Sequence, residues 1–310
     1  MMKMVNNLFQ MRTGRKLEVR EYGDDAGHPA FFFHGLIGSH YQAAYIADQA
    51  REHGLRILAP NRPGVGASEF IKRVSPLEAV DDIEDVATAL GLGEFSVIGI
   101  SGGTPYALAT LLRLGRRIRT VTVISGMGPT RLPGALEGMD RRRRVILAVG
   151  SRYPQVAQRG LQKELAHFRA DPDRFLRRLI ATWSVADRRL FERKDVYDLF
   201  MKDLHQVFTE GRGAESLAQE LTIYRNYGFA LKDLPAYRRI ILWQGLDDNI
   251  VPPAMAWQLA QALSNREAHF VPGGHFVAVD IAGQIILRLI RLLDESVDLP
   301  APAPVDGEIQ

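Results

Sequence analysis

The stretch Phe95–Tyr106, FSVIGISGGTPY, constrains the fold more than any other part of the chain. Phe95 to Ile100 reads as a buried apolar strand, and Thr104 to Leu114 as a helix. Only Ser101, Gly102 and Gly103 separate them. A chain that passes from strand to helix in so few residues must turn sharply. A serine at such a turn sits in a strained backbone conformation, and bulkier neighbours would clash, which explains the flanking glycines. The frame Gly99-Ile100-Ser101-Gly102-Gly103 fits Gly-x-Ser-x-Gly. The turn lifts the hydroxyl above the sheet edge, and the new helix aims its free N–H groups at whatever binds there. Glycine-rich turns after strands are common, and serine is also a good helix N-cap. Other loops must therefore decide whether Ser101 is a nucleophile.

The pattern around this turn alternates. Asn7–Gln10 and Lys16–Tyr22 read as short strands about the turn Thr13-Gly14-Arg15. Ala30–Phe33 is short and wholly apolar, as a strand buried on both faces should be. It is followed by His34-Gly35-Leu36 and a helix over Tyr41–His53. Leu55–Ala59 is a further strand and runs into the Gly- and Pro-rich loop Asn61–Ser68. Ser75–Leu90 is helical, with Ser75 as N-cap and Pro76 in the first turn. Arg119–Ser125 is a β-branched strand.

From Met127 to about Leu234 only helical periodicity is present. Alternation then resumes with strand Arg239–Gln244, helix Pro253–Leu263, strand Ala268–Val271 and helix Phe276–Leu293. The expected fold class is α/β, a mostly parallel sheet flanked by helices with an all-helical insertion. The expected division is a core of residues 1–126 and 235–296, a helical cap at 127–234 and a disordered Pro-rich tail at 297–310. Ligands of such sheets bind at the carboxyl ends of the strands, where the notable loops fall.

Composition narrows the chemistry. The 310 residues contain no cysteine, which excludes disulfides, thiolate metal sites and a cysteine nucleophile, and suits a cytoplasmic protein. The N-terminal stretch has no signal-peptide pattern, and no apolar run reaches membrane-spanning length. A net charge of +3 is well short of a nucleic-acid-binding signature. No His/Asp/Glu group shows metal-ligand spacing, so no metal or other cofactor is expected. The loop Asn61–Ser68 lacks the Gly-Lys-Ser/Thr ending of a phosphate loop.

A serine hydroxyl needs a base to take its proton and a group to orient that base. Two later strand ends offer candidates. Gln244-Gly245-Leu246-Asp247-Asp248-Asn249-Ile250-Val251-Pro252 supplies carboxylates, and Pro272-Gly273-Gly274-His275-Phe276 supplies an imidazole. The chain order Ser, Asp, His is that of α/β-hydrolases.

With these loops the chain resembles a Ser-His-Asp hydrolase of the α/β-hydrolase fold superfamily, with a helical cap. His34-Gly35-Leu36 resembles the oxyanion-hole loop. Asn61-Arg62-Pro63-Gly64-Val65-Gly66-Ala67-Ser68 resembles the family's Asp-Arg-Pro-Gly-x-Gly-x-Ser loop, with Asn61 where aspartate is usual. Gly245-x-x-Asp248-x-x-Val251-Pro252 resembles the acid loop, and Gly274-His275-Phe276 the base loop. The resemblance implies Ser101 as nucleophile, His275 as base and Asp248, rather than Asp247, as its orienting acid. It implies the backbone N–H groups of Leu36 and Gly102 as the oxyanion hole. His34 would shape its loop and Asn61 would be structural. Haloalkane dehalogenases and epoxide hydrolases of this family carry Asp at the elbow, whereas Ser101 favours acyl transfer to water. The implied partner is a small or medium acyl substrate: a carboxylic ester, lactone or thioester. An amidase, a C–C bond hydrolase and a non-catalytic small-molecule receptor on the same fold remain open.

The cap carries little motif information. Between Met139 and Asp195 it holds an excess of arginines, including Arg141 to Arg144 in a row. A solvated helical face with i,i+4 pairing is the expectation there, ahead of a lid that attracts an anionic acyl-CoA-like substrate. Its aromatic residues should mostly pack the cap against the sheet.

Overall fold

The structure, a computed structural model, describes residues 4–5 and 7–295; the tail 297–310 lies outside them. Among the described residues nine strands form one sheet: β1 (Met4–Val5), β2 (Leu8–Gln10), β3 (Lys16–Gly23), β4 (His28–Phe33), β5 (Leu55–Pro60), β6 (Phe95–Ile100), β7 (Ile118–Ile124), β8 (Ile240–Gly245) and β9 (Arg266–Val271). Their order across the sheet is β1-β2-β3-β5-β4-β6-β7-β8-β9. The first three join antiparallel at one edge, and from β5 to β9 every pair is parallel. Parallel neighbours need crossover connections. Helices α1 (Ala47–Glu52), α2 (Val80–Ala89), α3 (Thr104–Leu114), α10 (Pro253–Ala262), α11 (Val277–Asp280) and α12 (Ala282–Asp294) flank the sheet. All the parallel strands therefore deliver their following loops to the same edge.

Strand alternation sorts the core into two faces. Phe31, Phe33, Val97 and Val123 pack with α2, α3 and α10, while Phe32, Ile57, Ile98 and Ile124 pack with α1 and α12. Neighbouring residues of one strand thus serve opposite layers, which is why these strands read as continuous apolar runs.

Between β7 and β8 lie six helices: α4 (Arg141–Arg152), α5 (Pro154–Ala170), α6 (Pro172–Ile180), α7 (Val185–Leu190), α8 (Lys194–Thr209) and α9 (Gly213–Arg225). Leu147 of α4 packs with the first face of the core, while residues of α5 to α9 form a third apolar cluster rich in aromatic rings. Phe276, from the loop after β9, joins it, with ring centroids 4.8 Å from Trp183 and Phe191 and 5.4 Å from Phe200. No helix among the described residues is long and apolar enough to cross a membrane.

Three expected helices are divided. The Tyr41–His53 segment is a 3₁₀ stretch, His40–Ile46, followed by α1. Its entry is fixed by tertiary bonds: Asn61 Oδ1 accepts the His40 N–H at 2.7 Å and Asp203 Oδ1 accepts the Ser39 N–H at 2.6 Å. The Phe276–Leu293 segment breaks at Ile281, whose backbone leaves helical geometry at φ −116°, ψ 23°. At Ser75 the expected N-cap is a full capping box with Glu78, which starts a 3₁₀ turn ahead of α2.

Candidate active site

Ser101 sits at the tip of the β6–α3 turn with φ +51°, a left-handed conformation that side chains avoid. The surrounding glycines show what enforces it. A Cβ on Gly103 would lie 2.0 Å from the Phe33 carbonyl oxygen, and one on Gly99 would lie 2.9 Å from Ala107 Cβ. The turn is therefore wedged between β4 and its own helix. The Ser101 carbonyl accepts from Met127 N at 3.0 Å and Thr104 Oγ1 at 2.8 Å, which braces it on both sides.

His275 and Asp248 meet directly. Nδ1 of His275 lies 2.8 Å from Oδ2 of Asp248, both residues being buried. Asp248 Oδ1 accepts the backbone N–H groups of Ile250 and Val251 at 2.9 Å each, and Gln244 Nε2 donates to Oδ2 at 3.1 Å. Three donors besides the imidazole thus converge on this carboxylate. The Nδ1 position then carries the proton, leaving Nε2 as the basic nitrogen. Asp247 is exposed and makes no such contact with His275. Burial alone would lower the His275 pKa, but the charge and hydrogen bond of Asp248, helped by Asp187, outweigh it and raise the pKa above the usual histidine value.

Ser101 and His275 line one cavity of about 270 Å³, beside Gly35, Leu36, Trp183 and Phe276. Among the described residues no hydrogen bond joins the serine hydroxyl to the imidazole. Such contacts are often loose in unliganded sites and tighten with substrate.

The loop after β4 closes the other side. A Cβ on Gly102 would fall 2.9 Å from the Leu36 backbone nitrogen, so these two residues face each other across the turn. Several side chains hold the loop in place. Gln42 Oε1 accepts the Gly35 N–H at 2.7 Å, and Arg62 donates to the His34 carbonyl at 2.7 Å and to the Gly35 carbonyl. Arg62 lies 3.5 Å from Glu220 and stacks over the Tyr106 ring at 5.3 Å. His34 is buried and its pKa lies well below the usual range, because burial and then the Arg62 charge disfavour protonation. Its Nε2 accepts the Arg62 N–H at 3.2 Å, which leaves Nδ1 to donate to the Gly35 carbonyl at 2.9 Å. His34 is thus a structural part of the loop. Asn61, at the position where aspartate resembles the usual pattern, donates to Glu18 Oε2 at 2.8 Å. An aspartate there would set two buried carboxylates against each other.

Two carboxylates of the helical insertion reach these loops, and no motif announced either. Asp187 Oδ2 accepts the His275 N–H and Oδ1 the Phe276 N–H, both at 3.0 Å. Asp203 accepts from Ser39 N at 2.6 Å, from Ser39 Oγ at 2.5 Å and from Gln42 Nε2 at 2.9 Å. The only local signal for Asp187 is Ser184 three residues earlier, an N-cap whose hydroxyl accepts the Asp187 N–H at 3.1 Å. Of the arginine-rich stretch, Arg143 pairs with Asp140, Arg178 with Glu164 and Arg193 with Asp195, none at the i,i+4 spacing, whereas Lys194 and Asp198 do pair at i,i+4. Arg143 is not on a solvated face but lines the cavity at Ser101.

Comparison with known proteins places this geometry in context. A family profile described as alpha/beta hydrolase fold matches residues 30–280. No curated protein sequence matches the chain. Among solved structures it is similar to an esterase from Exiguobacterium antarcticum at 15% identity and TM-score 0.67, covering 94% of this chain and 100% of that one. It is similar to a bromoperoxidase from Bacillus anthracis at 17% identity and TM-score 0.67, covering 95% and 99%. An enol-lactonase from Burkholderia xenovorans LB400 aligns at 16% identity and TM-score 0.62, covering 95% and 100%. At these identities the likeness speaks for the fold.

Proposed function

Because the chain belongs to the alpha/beta hydrolase fold family, it is a hydrolase, and we propose that it cleaves small or medium carboxylic esters, lactones or thioesters through an acyl-serine intermediate. The observation that carries this reading is the hydrogen bond between His275 Nδ1 and Asp248 Oδ2, on the wall of the cavity that Ser101 also lines.

The chemistry follows from these groups. Ser101 Oγ attacks the acyl carbon while His275 Nε2 takes its proton, and Asp248 stabilises the resulting imidazolium. Negative charge moves to the former carbonyl oxygen, where the N–H groups of Leu36 and Gly102 receive it. One such donor is worth roughly 3 kcal/mol in comparable sites. Collapse expels the leaving group, which His275 protonates. Water then attacks the acyl-serine with His275 again as base, and the acid departs as Ser101 recovers its proton. The insertion, residues 127–234, acts in this reading as a cap over the site, with its aromatic cluster walling the cavity around Phe276.

Hydrolysis of p-nitrophenyl butyrate tests the reading. Wild type should turn over, and Ser101→Ala should lose on the order of 10³-fold or more in kcat/KM. Equal rates in both proteins would refute it. Turnover of anilides or of C–C substrates, but of no ester, would transfer the same three residues to amide or C–C cleavage. Tight binding of one small molecule without turnover of any substrate would favour a receptor.

A further inference from the structure

The cavity at Ser101 adjoins a larger one. A second cavity, of about 470 Å³, lies among α4, α5, α6 and α9. The two share Leu36, Ile37, Arg143, Ile146, Leu179 and Leu221 on their walls, so the second space lies directly beside the one at Ser101. The further walls are largely carbon, from Val149, Leu161, Phe175, Phe208 and Leu217.

The charged side chains at its edge are mostly occupied with one another. Arg143 binds Asp140 at 2.6 Å and Thr182 Oγ1 at 2.9 Å, and Arg178 binds Glu164 at 2.5 Å. A polar ligand entering this space would lose its water and find few partners. A hydrocarbon chain loses nothing by leaving water and gains with every methylene buried. The lining residues Val145 and Val156 are 53% and 55% exposed, and Ile146 on the shared wall is 48% exposed, so the space opens to solvent along α4 and α5 and is not a closed cavity.

We propose that this second cavity receives a linear apolar acyl chain, which makes the substrate an ester or thioester of a medium-chain acid. The inference rests on the serine hydrolase reading. In that reading the acyl oxygen sits at the Leu36 N–H, and the Leu36 side chain also borders the second cavity. The chain on the same acyl carbon therefore has the shortest way in.

Gly160 offers a plug. It lines the second cavity from α5, and a Cβ built there meets no atom within 4 Å. Gly160→Phe places a ring in the space, and replacing a glycine within a helix favours folding. Ile146→Trp, on the shared wall, is the second variant. In wild type, kcat/KM for p-nitrophenyl esters should rise from acetate through octanoate to dodecanoate. Each variant should lower the ratio of dodecanoate to acetate turnover by about tenfold or more. Binding of dodecanoate to Ser101→Ala protein, followed by calorimetry, should be weakened by adding Gly160→Phe. A wild-type profile that peaks at acetate, or a dodecanoate-to-acetate ratio untouched in both variants, would overturn the chain site and leave the hydrolase reading intact. Dodecanoate binding weakened by Gly160→Phe in a protein that hydrolyses no ester would uphold the chain site and remove the ester-hydrolase reading.

Discussion

Asp187, on a helix of the insertion, accepts the backbone N–H of His275 at 3.0 Å. The insertion thereby holds the loop that presents His275, the proposed base. The fit is tight, since a Cβ on Gly274 would lie 2.2 Å from the Asp187 carboxylate. Removing the carboxylate leaves two buried N–H groups without acceptors, at about 1–3 kcal/mol each. Asp187→Ala should lose about 2–5 kcal/mol of stability by urea unfolding. Asp187→Asn, which keeps an acceptor, should lose less. Both should lower kcat/KM, and since the Asp187 charge helps raise the His275 pKa, Asp187→Asn should shift the acid limb of the rate profile to lower pH. A purely structural role for Asp187 would leave that limb where it is.

Only neutral His275 can accept a proton. Its pKa is raised, so kcat/KM should fall as pH drops through a value above 6.5. The linkage to stability has the opposite sense. Protonated His275 is favoured in the folded chain, so its contribution is full below pH 6.5 and is lost as pH rises through the folded value. Asp248→Asn should move the acid limb down and cost on the order of 10³–10⁴ in kcat. The pH–rate profiles of the two proteins check this.

Gly102 bears on the proposed oxyanion site by shape alone. A Cβ there would stand 2.1 Å from the Tyr224 hydroxyl and 2.9 Å from the Leu36 nitrogen. Gly102→Ala must push the turn and the facing loop apart, which should cost roughly 10²–10³ in kcat. Adding Tyr224→Phe removes the nearer obstacle and should restore part of the loss. Steady-state kinetics of the single and double variants test the point, and no rescue would place the damage at Leu36 or at the Tyr224 ring carbon Cζ, which would still lie 2.8 Å from the added Cβ.

Asp203 links stability to pH. Burial pushes its pKa up to about 7 from 3.8, against the Ser39 and Gln42 donors that favour the charged form. The folded chain therefore holds a proton that the unfolded chain releases between these values. Stability should fall as pH rises from about 4 to about 7, and Asp203→Asn should flatten that slope whatever its effect on the absolute level. Urea midpoints across this range measure it, with an unchanged slope in Asp203→Asn as the contrary result.

Strands β2 to β9 and the three loops are legible in sequence because their signals are local, whereas the two-residue β1, Met4–Val5, carries no such signal. Short apolar runs mark β4, β6 and β8, and glycines mark the sites where Phe33, Ala107 and Asp187 approach the backbone. Asn61 also stood out as a departure, and Glu18 beside it supplies the physical reason. Asp187, Asp203 and Glu220 were not legible as partners. Each lies on a helix whose periodicity reports a buried face but not what that face meets. Their contacts to His275, Ser39 and Tyr106 span 88, 164 and 114 residues of chain. The division of the Tyr41–His53 segment escaped for the same reason, since Asn61 and Asp203 impose it from afar.

The most direct measurement is labelling with a fluorophosphonate, followed by peptide mapping. An activated serine attacks phosphorus as it would an acyl carbon, and an ordinary serine does not. The expected result is one adduct, on the peptide that carries Ser101, formed by wild type, absent from Ser101→Ala and much slowed in His275→Ala. A folded wild-type protein that takes up no label, or takes it equally well without His275, would contradict the assignment of Ser101 as a nucleophile activated by His275.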